Sequence, residues 1–185
     1  MTRPHRKYLE GRKFDPDALE RKYGLLGTGY ASGNWNWRVV FPIRDGADQI
    51  VAWQGRSIGE AAPKYKLSND KDCLEDPRGM LYGLQDCSGD TIIIVEGATG
   101  VWRLGPGTVA TLGIDWNVKQ ANKLRRFHRR FILYDPESLA QHKARQIAEH
   151  LAQFPGETEV LSGFETDPGE FPDELVRQIR QEIGV

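Results

Sequence analysis

The sequence predicts an α/β protein with a mainly parallel sheet flanked by helices, preceded by a small mixed α/β segment. Three observations carry that expectation. Thr91-Ile92-Ile93-Ile94-Val95 is an uncharged, β-branched run of the kind that forms a strand buried on both faces. After it, apolar runs alternate with helical patterns to the end of the chain, as right-handed crossovers in a parallel sheet require. Before it, two short apolar runs flank Arg44-Asp45-Gly46, where the Asp-Gly pair signals a hairpin instead.

In order, residues 1–24 read as helical and basic. Tyr8, Leu9 and Phe14 supply apolar contacts, and Asp15-Pro16 caps a helix over 17–23. Glycines 24, 27, 29 and 33 then make 24–36 a loop, and Trp35 and Trp37 flank the next strand. Strands follow over 38–41 and 50–53. Gly55-Arg56 closes the second of them, and 63–68 is a polar loop carrying Lys64 and Lys66. Residues 80–84 form a turn or short helix into the second half. That half reads strand 91–95, helix 99–104, strand 108–111, helix 117–127, strand 131–134, helix 138–153, strand 158–161 and helix 173–183. Ser138-x-x-Gln141 has the capping-box pattern. The organisation expected is therefore 1–84 as one subdomain and 85–185 as the other.

Composition narrows the function. The 185 residues include 25 Lys and Arg against 26 Asp and Glu, so affinity for nucleic acid has to come from local patches. A mean hydropathy of -0.55 and the lack of any apolar run near ~20 residues argue against a membrane span. The N-terminus lacks the apolar core of a secretory signal. Cys73 and Cys87 form no CxxC pair, which argues against a zinc ribbon in this chain and fits a cytoplasmic location with reduced thiols.

The candidate chemistry lies at strand ends. Glu96 follows the 91–95 strand, where an acid is either a ligand or a cap for the next helix. Asp135 and Glu137 follow the third strand of the second half, and Asp167 lies in the loop after the fourth. Parallel strands bring such tips to one edge, where converging carboxylates repel one another unless protons or a cation intervene. Their hard oxygens suit Mg²⁺ or Mn²⁺. Lys119, Lys123, Arg126 and Arg130 recur at helical spacing with no acid between Trp116 and Tyr134, as either a solvated face or a surface for phosphates. Arg56, Lys64 and Lys66 have the same two readings.

Val95-Glu96-Gly97, with Asp135-x-Glu137 on an apolar strand, resembles the TOPRIM domain of bacterial primases, topoisomerases and some nucleases. Upstream, Tyr8-Leu9-x-x-Arg12, Arg38-Val39-Val40-Phe41-Pro42-Ile43, Gly55-Arg56, Pro63-Lys64-Tyr65 and Leu81-Tyr82-Gly83-Leu84 occur in the order found in the catalytic core of DnaG-type primases. The resemblance covers nearly the whole chain and implies a stand-alone core of phage or mobile-element type. It would synthesise short primers on single-stranded DNA from NTPs by metal-assisted nucleotidyl transfer. Glu96, Asp135 and Glu137 would be catalytic, with Glu96 the general acid/base or metal-linked glutamate, and these three with Asp167 would hold the metal. Arg38, Arg56, Lys64, Lys66, Lys119, Lys123 and Arg126 would contact nucleic acid or nucleotide. A helicase or a separate zinc-binding template-recognition protein would be a partner. The family also has an acid where this chain has Gly100, and a second acid where it has Gly169. Fewer carboxylates imply fewer or weaker metals. They keep two alternatives open, a TOPRIM nuclease and a catalytically decayed nucleic-acid-binding subunit.

Overall fold

The computed structural model describes residues 1–185, the side chain of Asp70 excepted. The chain divides into two compact units, Met1–Pro77 and Arg78–Val185.

In the first unit, helices α1 (Arg3–Gly11) and α2 (Pro16–Tyr23) precede a four-stranded antiparallel sheet. The Asp15 carboxylate caps α2, accepting from the amides of Asp17 and Ala18 at 2.8 and 3.1 Å. The strands are β1 (Leu26–Gly27), β2 (Arg38–Arg44), β3 (Ile50–Ser57) and β4 (Tyr65–Leu67), in that spatial order. β1 and β4 replace stretches expected to be loop, and β3 runs through Gly55-Arg56 instead of stopping there. Neither difference has a hydrophobic signal, because both added strands are short and sit at sheet edges where ladder bonds hold them. The β2–β3 register puts Val39, Phe41, Ile43, Ala52, Gln54 and Arg56 on one face. Val39, Phe41, Ile43 and Ala52 are fully buried, as is Leu9 of α1, and burial of each large side chain stabilises the fold by about 1.5–3 kcal/mol. α1 lies on this face: a Cβ on Gly27 would come within 2.7 Å of His5 Nδ1. The 45–49 connection is closed by Asp45, whose Oδ1 accepts from the amides of Ala47 and Gln49.

In the second unit, β5 (Thr91–Val95), β6 (Thr108–Ala110), β7 (Arg129–Ile132) and β8 (Glu157–Val160) form a parallel sheet in the order β6-β5-β7-β8. Helices α3 (Ala98–Leu104), α4 (Val118–Leu124) and α5 (Ser138–Leu151) are the crossovers, and α6 (Asp173–Ile183) ends the chain. Ile92, Ile94 and Ile132 pack with Leu124, Ala140, Ala144, Ile147 and Leu151 in one core, which places α4 and α5 on the same side. α3 packs instead with α6 and with the 3-10 turn Pro168–Glu170.

Three details differ from expectation. α4 ends at Leu124, so Lys119, Lys123, Arg126 and Arg130 do not form one helical stripe. Arg130 belongs to β7, is 1% exposed, and donates to Thr158 Oγ1 (2.9 Å) and the Pro155 carbonyl (3.1 Å). The expected helix ran on because Phe127 keeps the apolar spacing. Its burial is achieved from the turn after the helix. The strand expected at 131–134 begins and ends two residues earlier, at 129–132. The capping box belongs to Asn117 and Gln120, which exchange both bonds (3.1 and 3.0 Å). At α5 the cap position is Glu137, with no side-chain cap bond, and Gln141 reaches back to the strand tip.

Candidate active-site edge and its relatives

β5 connects to β6 through α3, whereas β7 connects to β8 on the other side through α5. Right-handed crossovers leaving in opposite directions put their helices on opposite faces, opening a crevice at the carboxyl ends of β5 and β7. The register Ile94↔Ile132, continued by the Leu133 amide donating to the Ile94 carbonyl (2.8 Å), places Glu96 and Asp135 just past these two neighbouring strands. Both are half-buried.

Tyr134, beside Glu96 in this register, is buried, and its hydroxyl lies 2.8 Å from Thr111 Oγ1. Burial pushes the Tyr134 phenol above its usual range; the Thr111 bond pulls the other way, and the charges of Glu96 and Asp115 add to the rise. Thr111 in turn donates to the Gly113 carbonyl at 2.8 Å. Gln141 Nε2 donates to the carbonyls of Tyr134 (3.1 Å) and Asp135 (3.0 Å), fixing the turn that carries Asp135.

The other two predicted acids are placed differently. Glu137 is exposed at the start of α5. Asp167 caps the 3-10 turn after it, accepting from the Gly169 amide at 2.8 Å. Among the described residues, no group of three or more His, Cys, Asp or Glu side chains is placed to hold a metal ion. The two glycines at the family's acid positions are tightly enclosed. A Cβ on Gly169 would come within 2.8 Å of Thr99 Cβ and 2.9 Å of Asp167 Oδ1, and one on Gly100 within 3.0 Å of Val95 Cγ2. Glu96 and Asp135 are hard donors at adjacent strand tips, and Mg²⁺ commonly takes only one or two carboxylates with water and phosphates. The residues therefore fit a cation carried in by phosphates, and do not fit a closed cage built from protein alone.

Two residues of this edge escaped the sequence reading. Asp115, in the segment after β6, pairs with Lys143 of α5 at 2.8 Å. The signal was available, since Asp115 is an acid following an apolar strand, as Asp135 is. Arg103 of α3, its side chain 8% exposed, donates to the Gly169 carbonyl (3.2 Å) and pairs with Asp173 (3.4 Å). No sequence pattern marks that contact.

The cationic candidates in the second unit are separate from one another. Lys119 is exposed. Lys123 Nζ lies 3.1 Å from Met80 Sδ, and Arg126 is exposed with its guanidinium 4.7 Å from the Phe127 ring centroid. In the first unit, Arg38 is 2% exposed and donates to the carbonyls of Pro63 (2.9 Å), Lys64 (3.3 Å) and Gly55 (3.4 Å). Arg38 thus supports the chain bearing Lys64, whose own side chain is exposed. Arg56 is buried and donates to the hydroxyls of Tyr8 and Tyr65, with its guanidinium 5.8 and 4.9 Å from their ring centroids. Burial opposes the Arg56 charge, yet the Tyr65 and Tyr8 oxygens hold its pKa above the ordinary value. Lys66 is half-buried in β4, its ammonium 5.2 Å from the Trp35 ring centroid.

A parallel sheet whose switch point is tipped by carboxylates, together with a separate antiparallel unit carrying Arg and Lys, defines an α/β protein of the primase-core fold class. Among solved structures it resembles the Aquifex aeolicus primase (zinc-binding and RNA polymerase domains), with a TM-score of 0.85 and 23% identity. That match covers 99% of this chain and 56% of the other. It also resembles a DnaG primase catalytic domain bound to ssDNA, with a TM-score of 0.73 and 22% identity over 97% of this chain and 69% of that one. Residues 8–88 match the family described as DNA primase catalytic core, N-terminal domain. The DNA primase of Escherichia coli (strain K12) is 30% identical over 168 residues, 84% of this chain and 29% of its own length. That of Halalkalibacterium halodurans is 35% identical over 98 residues, 48% of this chain and 16% of its own length. Over residues 8–88 the chain carries the N-terminal domain of a DnaG-type primase catalytic core, and it spans less than a third of the length of these two relatives.

Among the described residues, no helix is long and apolar enough to cross a membrane.

Proposed function

We propose that this chain is a TOPRIM-containing primase core that makes short primers on a single-stranded DNA template. The observation supporting it most directly is the 30% identity to a DNA primase across 84% of the chain, which includes Glu96 and Asp135 at one switch point.

Glu96 and Asp135 would hold Mg²⁺ or Mn²⁺ together with the phosphates of an incoming NTP, and the chemistry such a cation supplies is neutralisation of charge on the transferred phosphoryl group. Glu96, half-buried beside the Tyr134 hydroxyl, accepts the proton of the attacking primer hydroxyl. Gln141 and the Thr111–Tyr134 pair keep the two strand tips in place. Lys64 and Lys66 meet phosphates in the first unit, with Arg38 as a positioning residue beneath Lys64, while Arg56, enclosed by Tyr8 and Tyr65, braces the strand below them. Lys119, Lys123 and Arg126 add cationic surface in the second. Glu137 and Asp167 lie further along the loops and would join only when substrate draws them in. A helicase, or a separate zinc-binding protein that recognises template, would be the partner.

The test is primer synthesis from NTPs on single-stranded DNA with Mg²⁺ or Mn²⁺. Labelled oligoribonucleotides should form with the wild type and fall at least about 100-fold with Asp135→Ala. Equal product from that variant would refute the assignment, and degradation of labelled DNA without NTPs would point to a nuclease instead.

One observation favours a second reading, a nucleic-acid-binding subunit without turnover. Thr99 fills the space beside Gly169, and Asp167 is engaged as a cap. Binding to single-stranded DNA that persists in EDTA, with no primer under any condition, would establish that reading.

A further inference from the structure

We infer that a hydrogen bond between the Tyr134 and Thr111 hydroxyls, passing across the tip of β5, positions Glu96, and that Tyr134 is a positioning residue of the carboxylate rim. The inference rests on the primase reading only for what Glu96 does there. The bridge itself follows from strand register, burial and the count of hydroxyl protons.

Register brings the three residues together. Val95 pairs with Ala110 of β6, and Ile94 with Ile132 of β7. The ladder runs on past the strands, the Thr111 amide donating to the Val95 carbonyl (3.1 Å) and the Leu133 amide to the Ile94 carbonyl (2.8 Å). One step further, Thr111, Glu96 and Tyr134 stand on a single rung, and rung partners in a parallel sheet send their side chains to the same face. For Tyr134 this is the face of Ile92, Ile94 and Val109, in whose core it packs. Because β5 lies between β6 and β7, two strand spacings, about 9.5 Å, separate the backbones of Thr111 and Tyr134. Their oxygens are nevertheless 2.8 Å apart. The phenol therefore spans the tip of β5 at the level of Glu96.

Proton count gives the bridge a direction. Thr111 has one proton to give and two carbonyls within reach, Gly113 at 2.8 Å and Val95 at 3.3 Å. With that proton committed, the bridging proton comes from Tyr134, and the chain of donors runs from Tyr134 to Thr111 to Gly113. It closes on Glu96, because the Gly113 amide donates to the Glu96 carbonyl at 3.1 Å. Leu112 lies inside this loop in the left-handed conformation (φ 64°), which a leucine holds only where its surroundings impose it.

Burial makes the bridge firm. Thr111 and Tyr134 are 3% and 2% exposed, so water does not compete for their bond. The residues directly after Glu96 offer no comparable hold: Gly97 and Ala98 carry no polar side chain, and Gly97 caps α3 without a side-chain bond. Glu96 is thus steadied from the two strands beside its own.

The experiment removes single oxygens. Tyr134→Phe keeps the ring, Thr111→Val keeps the shape, and Thr111→Ser keeps the hydroxyl. Affinity for the Mn²⁺ complex of GTP is read by water proton relaxation without template, so that no turnover occurs, and primer synthesis is measured beside it. Tyr134→Phe and Thr111→Val should each weaken that affinity about 10-fold, the scale known for groups that orient a metal ligand, and their double variant should be no weaker. Thr111→Ser should stay within about 2-fold of wild type. Tyr82→Phe, which removes a buried hydroxyl bonded to Trp102 Nε1 (2.8 Å), should leave the affinity unchanged. In a Glu96→Gln background Tyr134→Phe should cost nothing further, a result that general loosening of the core would not give. Thr111→Val and Thr111→Ser keep the test decisive should Tyr134→Phe unfold. With primer made by the wild type, full affinity in Tyr134→Phe and Thr111→Val, or an equal loss in the Glu96→Gln background, would overturn this inference and leave the primase reading standing. The expected losses of affinity without primer from the wild type would do the reverse. A wild type that neither binds Mn²⁺–GTP nor makes primer would overturn both.

Discussion

Gly169→Ala probes whether the loop after β8 has been repacked around missing side chains. The added Cβ would sit 2.8 Å from Thr99 Cβ and 2.9 Å from both Thr99 Oγ1 and Asp167 Oδ1. Gly169 is outside the left-handed backbone region, so the cost is purely steric. Thr99 Cβ is fixed to the first turn of α3 and cannot swing aside, which makes this an overpacking change worth about 1–3 kcal/mol. For a chain of this size that lowers the melting temperature by roughly 3–10 °C. Gly169→Asp should cost more, since it places a second carboxylate beside Asp167. Urea unfolding followed by circular dichroism and by Trp102 emission measures it, Trp102 being a buried residue of α3. Thr99→Gly should relieve the clash, giving a coupling of at least about 1 kcal/mol in the double variant. Gly169→Ala within about 0.5 kcal/mol of wild type, or strictly additive effects, would refute the reasoning. A rescued Thr99→Gly/Gly169→Asp variant would also be the one to assay for tighter Mn²⁺ binding.

Three further outcomes are expected. His5 is fully buried, and burial first, with the nearby N-terminal charge, holds its pKa below 6.5 despite an opposing backbone bond at Thr28; the unfolded chain therefore takes up the proton first. Stability should be intact above about pH 6.5 and decline as pH falls below it, and His5→Gln should flatten that decline in pH-dependent unfolding. Burial, with Asp86 adding, pushes the Cys87 thiol up to about 11, so Cys87 should resist iodoacetamide at pH 8 in the native chain and react once unfolded, as mass spectrometry of labelled peptides would show. Arg130→Met should cost about 2–4 kcal/mol by leaving Thr158 Oγ1 and the Pro155 carbonyl without their donor, and a loss below about 1 kcal/mol would contradict the bonding described.

The second unit was readable because β5 is an uninterrupted apolar run and strand-like and helical patterns alternate after it, from which the parallel sheet follows; β7 and β8, which carry Arg129, Arg130, Glu157 and Glu159, gave a weaker signal. Glu96 and Asp135 were equally readable, as acids immediately after such runs. Asp115 follows β6, a strand of only three residues, after the intervening stretch 111–114, so its cue was weaker. Arg130 illustrates the opposite limit. Its charge and spacing suggest a solvent-facing helix, yet neutral oxygens from Thr158 and Pro155 accept it inside the sheet, and only tertiary structure supplies them. Likewise β1 and β4 exist through pairing with β2 and β3, since two- and three-residue segments carry no periodicity of their own. The roles of Thr99 and Gln141 depend on volumes and reach across separate segments, which sequence spacing does not encode.

Val185 lies against Gly107, where an added Cβ would come 3.4 Å from the Val185 Cβ, and Arg180 ties α6 to the carbonyls of Leu104 and Pro106 at 2.6 and 2.8 Å. Gly107 leads into β6, so the end of α6 is fastened at the amino-terminal rim of the sheet, across the strands' full length from Glu96. A fluorophore or affinity handle joined at Val185 would consequently stand clear of the carboxylate rim, giving an attachment point for immobilised binding measurements that leaves that rim open to solvent.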